Sequence, residues 1–314
     1  MKIAVVGAGA VGGWYGGLLA AAGHEVHAVS RTDHAVLSAR GLTMRDRTGD
    51  RVVKFASASA DGASVGSCDL VVVAAKATAN AALPALLRPL IDGRTILLTL
   101  QNGMGNTEAF GALLPPERLV AGLCFVCINR LAPGLVANTH AGYVRMAAAQ
   151  GPANAAVLRC VATFAEAGVD CRAEDSLEAV LWKKLCWNIP FNGLAIAAGG
   201  ITTDKIVADA ALSDRARRLM LEVQSAAAAR GHVVSDRHIQ AQFEATAGMG
   251  PYRPSSLIDY LSGRDVEVAG IWGEPLKRGQ EAGVAMPELA RLKREIEAKL
   301  AERRLTSWPE PGAS

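Results

Sequence analysis

Three glycines near the start of the chain are spaced for chemistry. In "KIAVVGAGAVGGWYGGLLAAAGHEV", residues 2–26, Gly7, Gly9 and Gly12 make a G-x-G-x-x-G run behind a short apolar stretch. In such a loop the first glycine makes a tight turn. The second lets backbone approach a pyrophosphate, and the third lets helix pack on strand. The N–H groups and positive dipole end of the following helix then hold the anion. That assigns Gly7, Ala8, Gly9, Ala10, Val11 and Gly12 to a dinucleotide. Where the next strand should end stands Ser30-Arg31-Thr32. A site for NAD carries a carboxylate there for the ribose 2′-hydroxyl. A carboxylate would repel a 2′-phosphate, whereas Arg31 can clamp one with charge-assisted hydrogen bonds. The cofactor read from these residues is therefore NADP(H). Asp33 is the rival ribose ligand, and its offset from the strand end disfavours it.

Further along, Lys76 follows "DLVVVAA" and Asn102 follows "RTILLTLQ". Each stands just past an expected strand, at the carboxyl edge where open α/β sheets bind ligands. Lys184, Asn188 and Asn192 recur every fourth residue in "LWKKLCWNIPFN", so one helical face can carry an ammonium and two amides. Lys183 points about 100° away from that face. The blander reading of the ladder is a solvated stripe. Cys124-Phe-Val-Cys127 matches CxxC, but "LVAGLCFVCI" reads as a strand, so buried strand cysteines are expected rather than redox chemistry. His24 and His27 have no further clustered ligands, and no metal site is expected.

Positioning these groups takes two kinds of element. The first half alternates. Ile3–Val6 reads as a strand, Val11–Ala22 as a helix stopped by Gly23, and Glu25–Ser30 as a strand. "GLTMRDRTGDRVVKF" reads as a hairpin turning at Gly49, and Asp69–Ala75 and "RTILLTL" as buried strands. "NAALPALLRPLI" reads as a helix interrupted by prolines. Alternation of this kind implies a doubly wound, largely parallel sheet. From about residue 175 the period becomes helical. "SDRARRLMLEVQSAAAARG" carries an apolar stripe at Ala216, Leu219, Met220, Val223 and Ala227, with Ser213 as N-cap and Gly231 as the stop. Ser235 opens a further helix, and Leu289, Leu292, Ile296 and Leu300 line another. The expected domains are residues 1–174, α/β and nucleotide-binding, and residues 175–314, all helical, with 305–314 a loose tail.

Composition narrows the function classes. The chain has 314 residues, 50% of them hydrophobic, and a net charge of +3 without a basic run. A dedicated nucleic-acid partner is not expected. The uncharged opening resembles a signal peptide, but glycines at 7, 9, 12, 13, 16 and 17 weaken it as an apolar helix. The segment is expected to stay on the mature chain. No second membrane-length stretch follows. Six dispersed cysteines are unlike a secreted disulfide scaffold, and a cytoplasmic protein is expected.

Taken in order, "GAGAVGGWYGGLLAAAGHEV", Arg31, Lys76, "QNGMGN", "LWKKLCWNIPFN", "PSSLIDYLSGRDVE" and "AGVAMPEL" make the chain similar to the ketopantoate reductase (2-dehydropantoate 2-reductase) family over nearly its whole length. The resemblance implies a Rossmann domain joined to a helical domain like that of 6-phosphogluconate dehydrogenase, with the active site in the cleft between them. It implies NADPH-dependent reduction of a 2-keto acid, 2-dehydropantoate to pantoate, in pantothenate and coenzyme A synthesis. By resemblance, Lys184 donates the proton to the developing alkoxide. Asn188 and Asn192 bond the substrate's oxygens, and Ser255 its carboxylate end. Glu267 orients Lys184 or holds substrate and cofactor. Lys76 and Asn102 line the nicotinamide side. Pairing of two chains through the helical half is a family expectation.

Three positions depart from the family pattern. Pro190 falls between the two asparagines, where it can kink or end the helix. Gly193 follows Asn192 where proline is usual, and Trp272 stands in "VAGIWGEP" after Glu267. A different 2-keto acid is therefore an alternative substrate. A non-catalytic NADP(H)-binding regulator is the alternative from another class, and retention of Lys184, Asn188, Ser255 and Glu267 argues against it.

Overall fold

The computed structural model describes residues 1–139 and 142–306. The chain divides into two compact units, residues 1–180 and 181–314. The strands of the first are β1 (Lys2–Val6), β2 (Glu25–Val29), β3 (Leu42–Asp46), β4 (Gly49–Val53), β5 (Ser57–Ser59), β6 (Leu70–Val73), β7 (Ile96–Thr99), β8 (Leu119–Phe125), β9 (Ile128–Ala132), β10 (Leu135–Asn138), β11 (Tyr143–Ala148) and β12 (Asp170–Ala173). Its helices are α1 (Ala10–Ala21), α2 (His34–Arg40), α3 (Leu83–Leu87) and α4 (Ala155–Glu166).

The main sheet runs β12-β11-β8-β7-β6-β1-β2-β5. From β5 to β8 every pair is parallel; β11 then pairs antiparallel with β8. Side chains alternate across a strand. Ile3 and Val5 accordingly enter one apolar cluster, while Ala4 and Val6 enter another. Burial on both faces explains why "LVVV" in β6 reads as continuous rather than alternating. The hairpin of β3 and β4 turns at Gly49, whose φ of +124° suits glycine. It does not extend the main sheet. It joins β10 and β9 in a second sheet, ordered β4-β3-β10-β9.

The second unit is helical: α5 (Leu177–Ala197), α6 (Thr203–Ala208), α7 (Ala210–Ala229), α8 (Asp236–Gly248), α9 (Ser255–Leu261), α10 (Glu274–Glu281) and α11 (Pro287–Thr306). The division between units falls within α5. Residues 269–273 form a π-turn that leads into α10. The stripe of Ala216, Leu219, Met220, Val223 and Ala227 is fully buried. Ser213 is not the cap of α7. Asp209 accepts from the Leu212 N–H and starts the helix earlier, because its carboxylate fills the cap with extended backbone while Ser213 is already inside the first turns. Ser235 does cap α8, accepting from the His238 N–H. The backbone of residues 305 and 306 continues α11, so the expected tail does not begin at 305. The rest of that tail, 307–314, lies outside the described residues. Among the described residues, no helix is long and apolar enough to cross a membrane.

Candidate active site

The loop after β1 is shaped by what its glycines lack. The Gly7 N–H donates to the Val29 carbonyl at 2.9 Å, and φ there is +91°. A Cβ on Gly7 would come within 2.6 Å of the Ala75 Cα, and one on Gly12 within 2.9 Å of the Ala74 Cβ. The ends of β1 and β6 and the start of α1 are therefore pressed together. Gly9 is different: a Cβ there would meet no heavy atom within 4 Å. It is also the N-cap of α1 and offers no side-chain acceptor, so the donors of the first turn remain for a ligand. Open space beside an uncapped helix N-terminus fits a pyrophosphate.

In the turn after β2, Arg31 is exposed, and among the described residues nothing bonds its guanidinium. Asp33 is 2% exposed. It accepts from Arg130 Nε at 2.8 Å and Nη2 at 2.6 Å, from the Gly134 N–H at 3.3 Å, and from the Thr32 hydroxyl at 2.8 Å. Burial alone would raise the Asp33 carboxyl; Arg130, Thr32 and Gly134 outweigh it and hold the group below the usual carboxylate range.

Lys76 and Asn102 stand just past β6 and β7, at the carboxyl edge of the parallel strands. Lys76 is exposed and Asn102 half-buried. Three amides that sequence reasoning missed set the backbone there. Gln101 Nε2 donates to the Ala75 carbonyl at 2.9 Å and to Asn80 Oδ1 at 2.7 Å. Asn80 Nδ2 donates to Asn106 Oδ1 at 3.2 Å, and Asn106 Nδ2 donates to the Asn102 carbonyl at 3.0 Å. The chain of bonds ties the residue before Lys76 to Asn102 itself. Amides clustered in "QNGMGN" were the available signal; Asn80 gave none.

In the second unit α5 runs unbroken past Pro190 to Ala197. Proline removes one helix N–H. Here Ile189, Phe191, Leu194, Ala195 and Ile196 are fully buried, and packing rather than propensity carries such a helix. Trp272 adds a bond: its Nε1 donates to the Ile189 carbonyl at 3.0 Å. A Cβ on Gly193 would lie 2.9 Å from that nitrogen and 3.1 Å from the Leu292 Cγ, so glycine there makes room for the indole. Trp272 is itself fully buried.

Continuity of α5 keeps Lys184, Asn188 and Asn192 near one face. Asn188 is 9% exposed, and among the described residues no hydrogen bond reaches its amide. Asn192, 2% exposed, accepts from the Ser256 N–H at 3.0 Å and so fastens α5 to the start of α9. Ser255 is exposed there, while Ser256 is buried. Glu267, 5% exposed, precedes the π-turn that Trp272 joins to α5. The elements that carry Lys184, Asn188 and Asn192, then Ser255, then Glu267 are thus linked by two long-range bonds. The Lys183 carbonyl is bonded by His238 at 3.1 Å.

One minor expectation changes. Cys124 lies inside β8, one residue before its end, and Cys127 lies beyond it; both are half-buried rather than buried. The described residues hold no group of three or more His, Cys, Asp or Glu placed for a metal.

Comparison with known proteins points one way. The family model described as ketopantoate reductase PanE/ApbA matches residues 3–151, and the model of its C-terminal part matches residues 176–299. A 2-dehydropantoate 2-reductase of Nostoc sp. is 36% identical over 293 residues, 92% of each chain. The crystal structure of 2-dehydropantoate 2-reductase from Geobacter metallireducens is 37% identical, with a TM-score of 0.91 over 95% of this chain and 99% of that one. A D-mandelate dehydrogenase solved with NADH and anilino(oxo)acetate shares the fold, with a TM-score of 0.87 over 97% of this chain and 99% of that one, at 22% identity.

Proposed function

The chain belongs to the ketopantoate reductase family, and on that premise we propose that it reduces 2-dehydropantoate to pantoate with NADPH, a step toward pantothenate and coenzyme A. The observation that carries the reading is on α5. Lys184 shares a continuous helix with Asn188, a nearly buried amide without a partner among the described residues, and with Asn192. An amide in a nearly buried residue that bonds nothing in the chain keeps its donor and acceptor for a ligand's oxygens.

The roles follow from chemistry. Gly7, Ala8, Gly9, Ala10, Val11 and Gly12 hold the pyrophosphate with backbone donors. Arg31 takes the 2′-phosphate; its exposure and lack of a partner support this, as does the engagement of Asp33 with Arg130. When bound, the reduced nicotinamide supplies hydride to the keto carbon. Lys76 and Asn102 line its side of the site. Lys184 Nζ gives its proton to the oxygen as charge develops there. Asn188 bonds that oxygen or its neighbour. Asn192 supports the site through the start of α9, and Ser255 takes the carboxylate end. Glu267 orients Lys184 or holds substrate and cofactor, as the family resemblance implies. Domains of 1–174 and 175–314 would divide cofactor from substrate work. Six free thiols support a reducing, cytoplasmic setting. Pairing of two chains through the helical unit rests on the family resemblance.

NADPH oxidation across a panel of 2-keto acids tests the reading, with 2-dehydropantoate expected to give the highest kcat/KM. Preference for another acid would favour the second reading, which Trp272 seated against Gly193 supports. No oxidation with any acid would point to a regulator. Arg31→Ala should weaken NADPH binding by about 1.5–3 kcal/mol, the scale of a charged hydrogen bond, and leave NADH binding nearly unchanged.

A further inference from the structure

The turn after β2 contains both an arginine suited to NADP(H) and, beyond the usual strand-end position, a carboxylate that is the rival ribose ligand. Asp33 lies two residues past Arg31, and its N–H donates to Ser30 Oγ at 3.3 Å, so both belong to one turn. A carboxylate there would ordinarily select against a 2′-phosphate. Asp33 cannot act so, because its lone pairs are already taken. The Arg130 guanidinium grips both oxygens at 2.6 and 2.8 Å, and the Gly134 N–H and Thr32 hydroxyl add two more donors. Arg130 lies in β9 and Gly134 between β9 and β10. The second sheet therefore supplies the donors that occupy Asp33, from a part of the chain about a hundred residues away.

We propose that the Asp33–Arg130 pair sets this protein's cofactor preference: Arg130 withdraws Asp33 as a ribose ligand, cancels its charge toward a 2′-phosphate, and holds the turn that presents Arg31. The inference rests on the NADP(H) reading above. Arg130 is here a positioning residue, since it acts through Asp33. Freed from Arg130, the carboxylate would repel a 2′-phosphate and accept from a ribose hydroxyl. NADPH binding must then weaken while NADH binding holds or tightens, and loss of structure alone cannot produce that split.

The test is binding, not turnover. Dissociation constants for NADPH and NADH are measured by fluorescence titration of the full-length chain, with thermal melts alongside. Arg130→Met should lower the preference for NADPH over NADH by about tenfold or more, the scale of one charged hydrogen bond, with NADH binding held or tightened. The double variant Asp33→Asn with Arg130→Met should recover most of the NADPH affinity, since no carboxylate remains. Equal weakening of both cofactors by Arg130→Met, without recovery in the double variant, would overturn the proposal. Should Arg130→Met fail to fold, Arg130→Lys carries the test. A single ammonium cannot grip both oxygens, so a smaller shift in the same direction is expected, and a preference equal to the wild type overturns the proposal. A wild-type protein indifferent between NADPH and NADH would refute the cofactor reading itself. A strong wild-type preference unmoved by Arg130 variants would refute only the inference.

Discussion

In the proposed reading, the glycine loop of the first unit and helix α5 of the second meet their ligands with opposite materials. The loop works with backbone. Gly7 and Gly12 leave no room for a Cβ, and the groups offered are N–H donors at the start of α1. In α5 most backbone groups are spent inside the helix, and the working groups are side chains: an ammonium and two amides. In the loop, fold and binding are one property, since the same absent side chains serve both. On α5 they separate, because a side chain can change while the helix remains. Gly9 and Asn192 are the exceptions on either side. Gly9 has open space, and Asn192 holds another helix.

The largest expected effect lies on the α5 side. Lys184→Ala should lower kcat by roughly 10²–10⁴-fold, the scale of general acid catalysis, with the melting midpoint and NADPH affinity nearly unchanged. Lys183→Ala should do little. If Lys183 instead carried the loss, the face drawn through Lys184, Asn188 and Asn192 would be the wrong one.

Gly7→Ala should behave in the opposite way. A side chain at φ +91° costs about 1–3 kcal/mol before the clash with Ala75 is added, so melting temperature and NADPH affinity should fall together. Gly9→Ala sharpens the contrast: the midpoint should hold while NADPH binding weakens, because the methyl enters the space meant for phosphate. A midpoint drop in Gly9→Ala as large as in Gly7→Ala would erase the distinction.

Asn192→Ala should fall between the two classes. It leaves the Ser256 N–H without its acceptor, which costs about 1–3 kcal/mol of stability, and it should raise KM for the keto acid as α9 shifts. Denaturant melts and steady-state kinetics on one preparation would show both. A change in KM with full stability would place Asn192 on the substrate rather than on α9.

The smallest effect concerns acid. Asp33 titrates lower in the folded protein than in the unfolded chain, whose aspartates titrate at about 3.9. The unfolded chain therefore takes up this proton first as pH falls. The stabilisation is present above about pH 4 and is lost as pH drops through the folded value. Asp33→Asn should flatten the acid limb of a melting-temperature profile and leave the alkaline limb alone. An unchanged acid limb would mean that the pair contributes no net stability.

Much of this was legible before any coordinates, and the pattern of success is physical. The turn geometry of the glycine loop, the stop at Gly231, the cap at Ser235 and the stripe on α7 all depend on residues within one or two turns of each other. Such signals are local, so spacing alone reveals them. The cap of α7 was misread because Ser213 and Asp209 are both good caps, and nothing local in the pattern ranked them. Pro190 looked like a break because propensity counts the lost N–H and cannot count the burial of its neighbours.

The remaining features depend on residues far apart in the chain. Arg130 grips Asp33, Gln101 and Asn106 link the ends of β6 and β7, the Trp272 indole bonds the Ile189 carbonyl, and the β3–β4 hairpin pairs with β10 instead of the main sheet. Residue type told that Asp33 could bind a ribose and that Arg31 could bind a phosphate. Which of them is available was settled by folding, because a carboxylate's lone pairs go to whichever donors the chain brings within bonding distance.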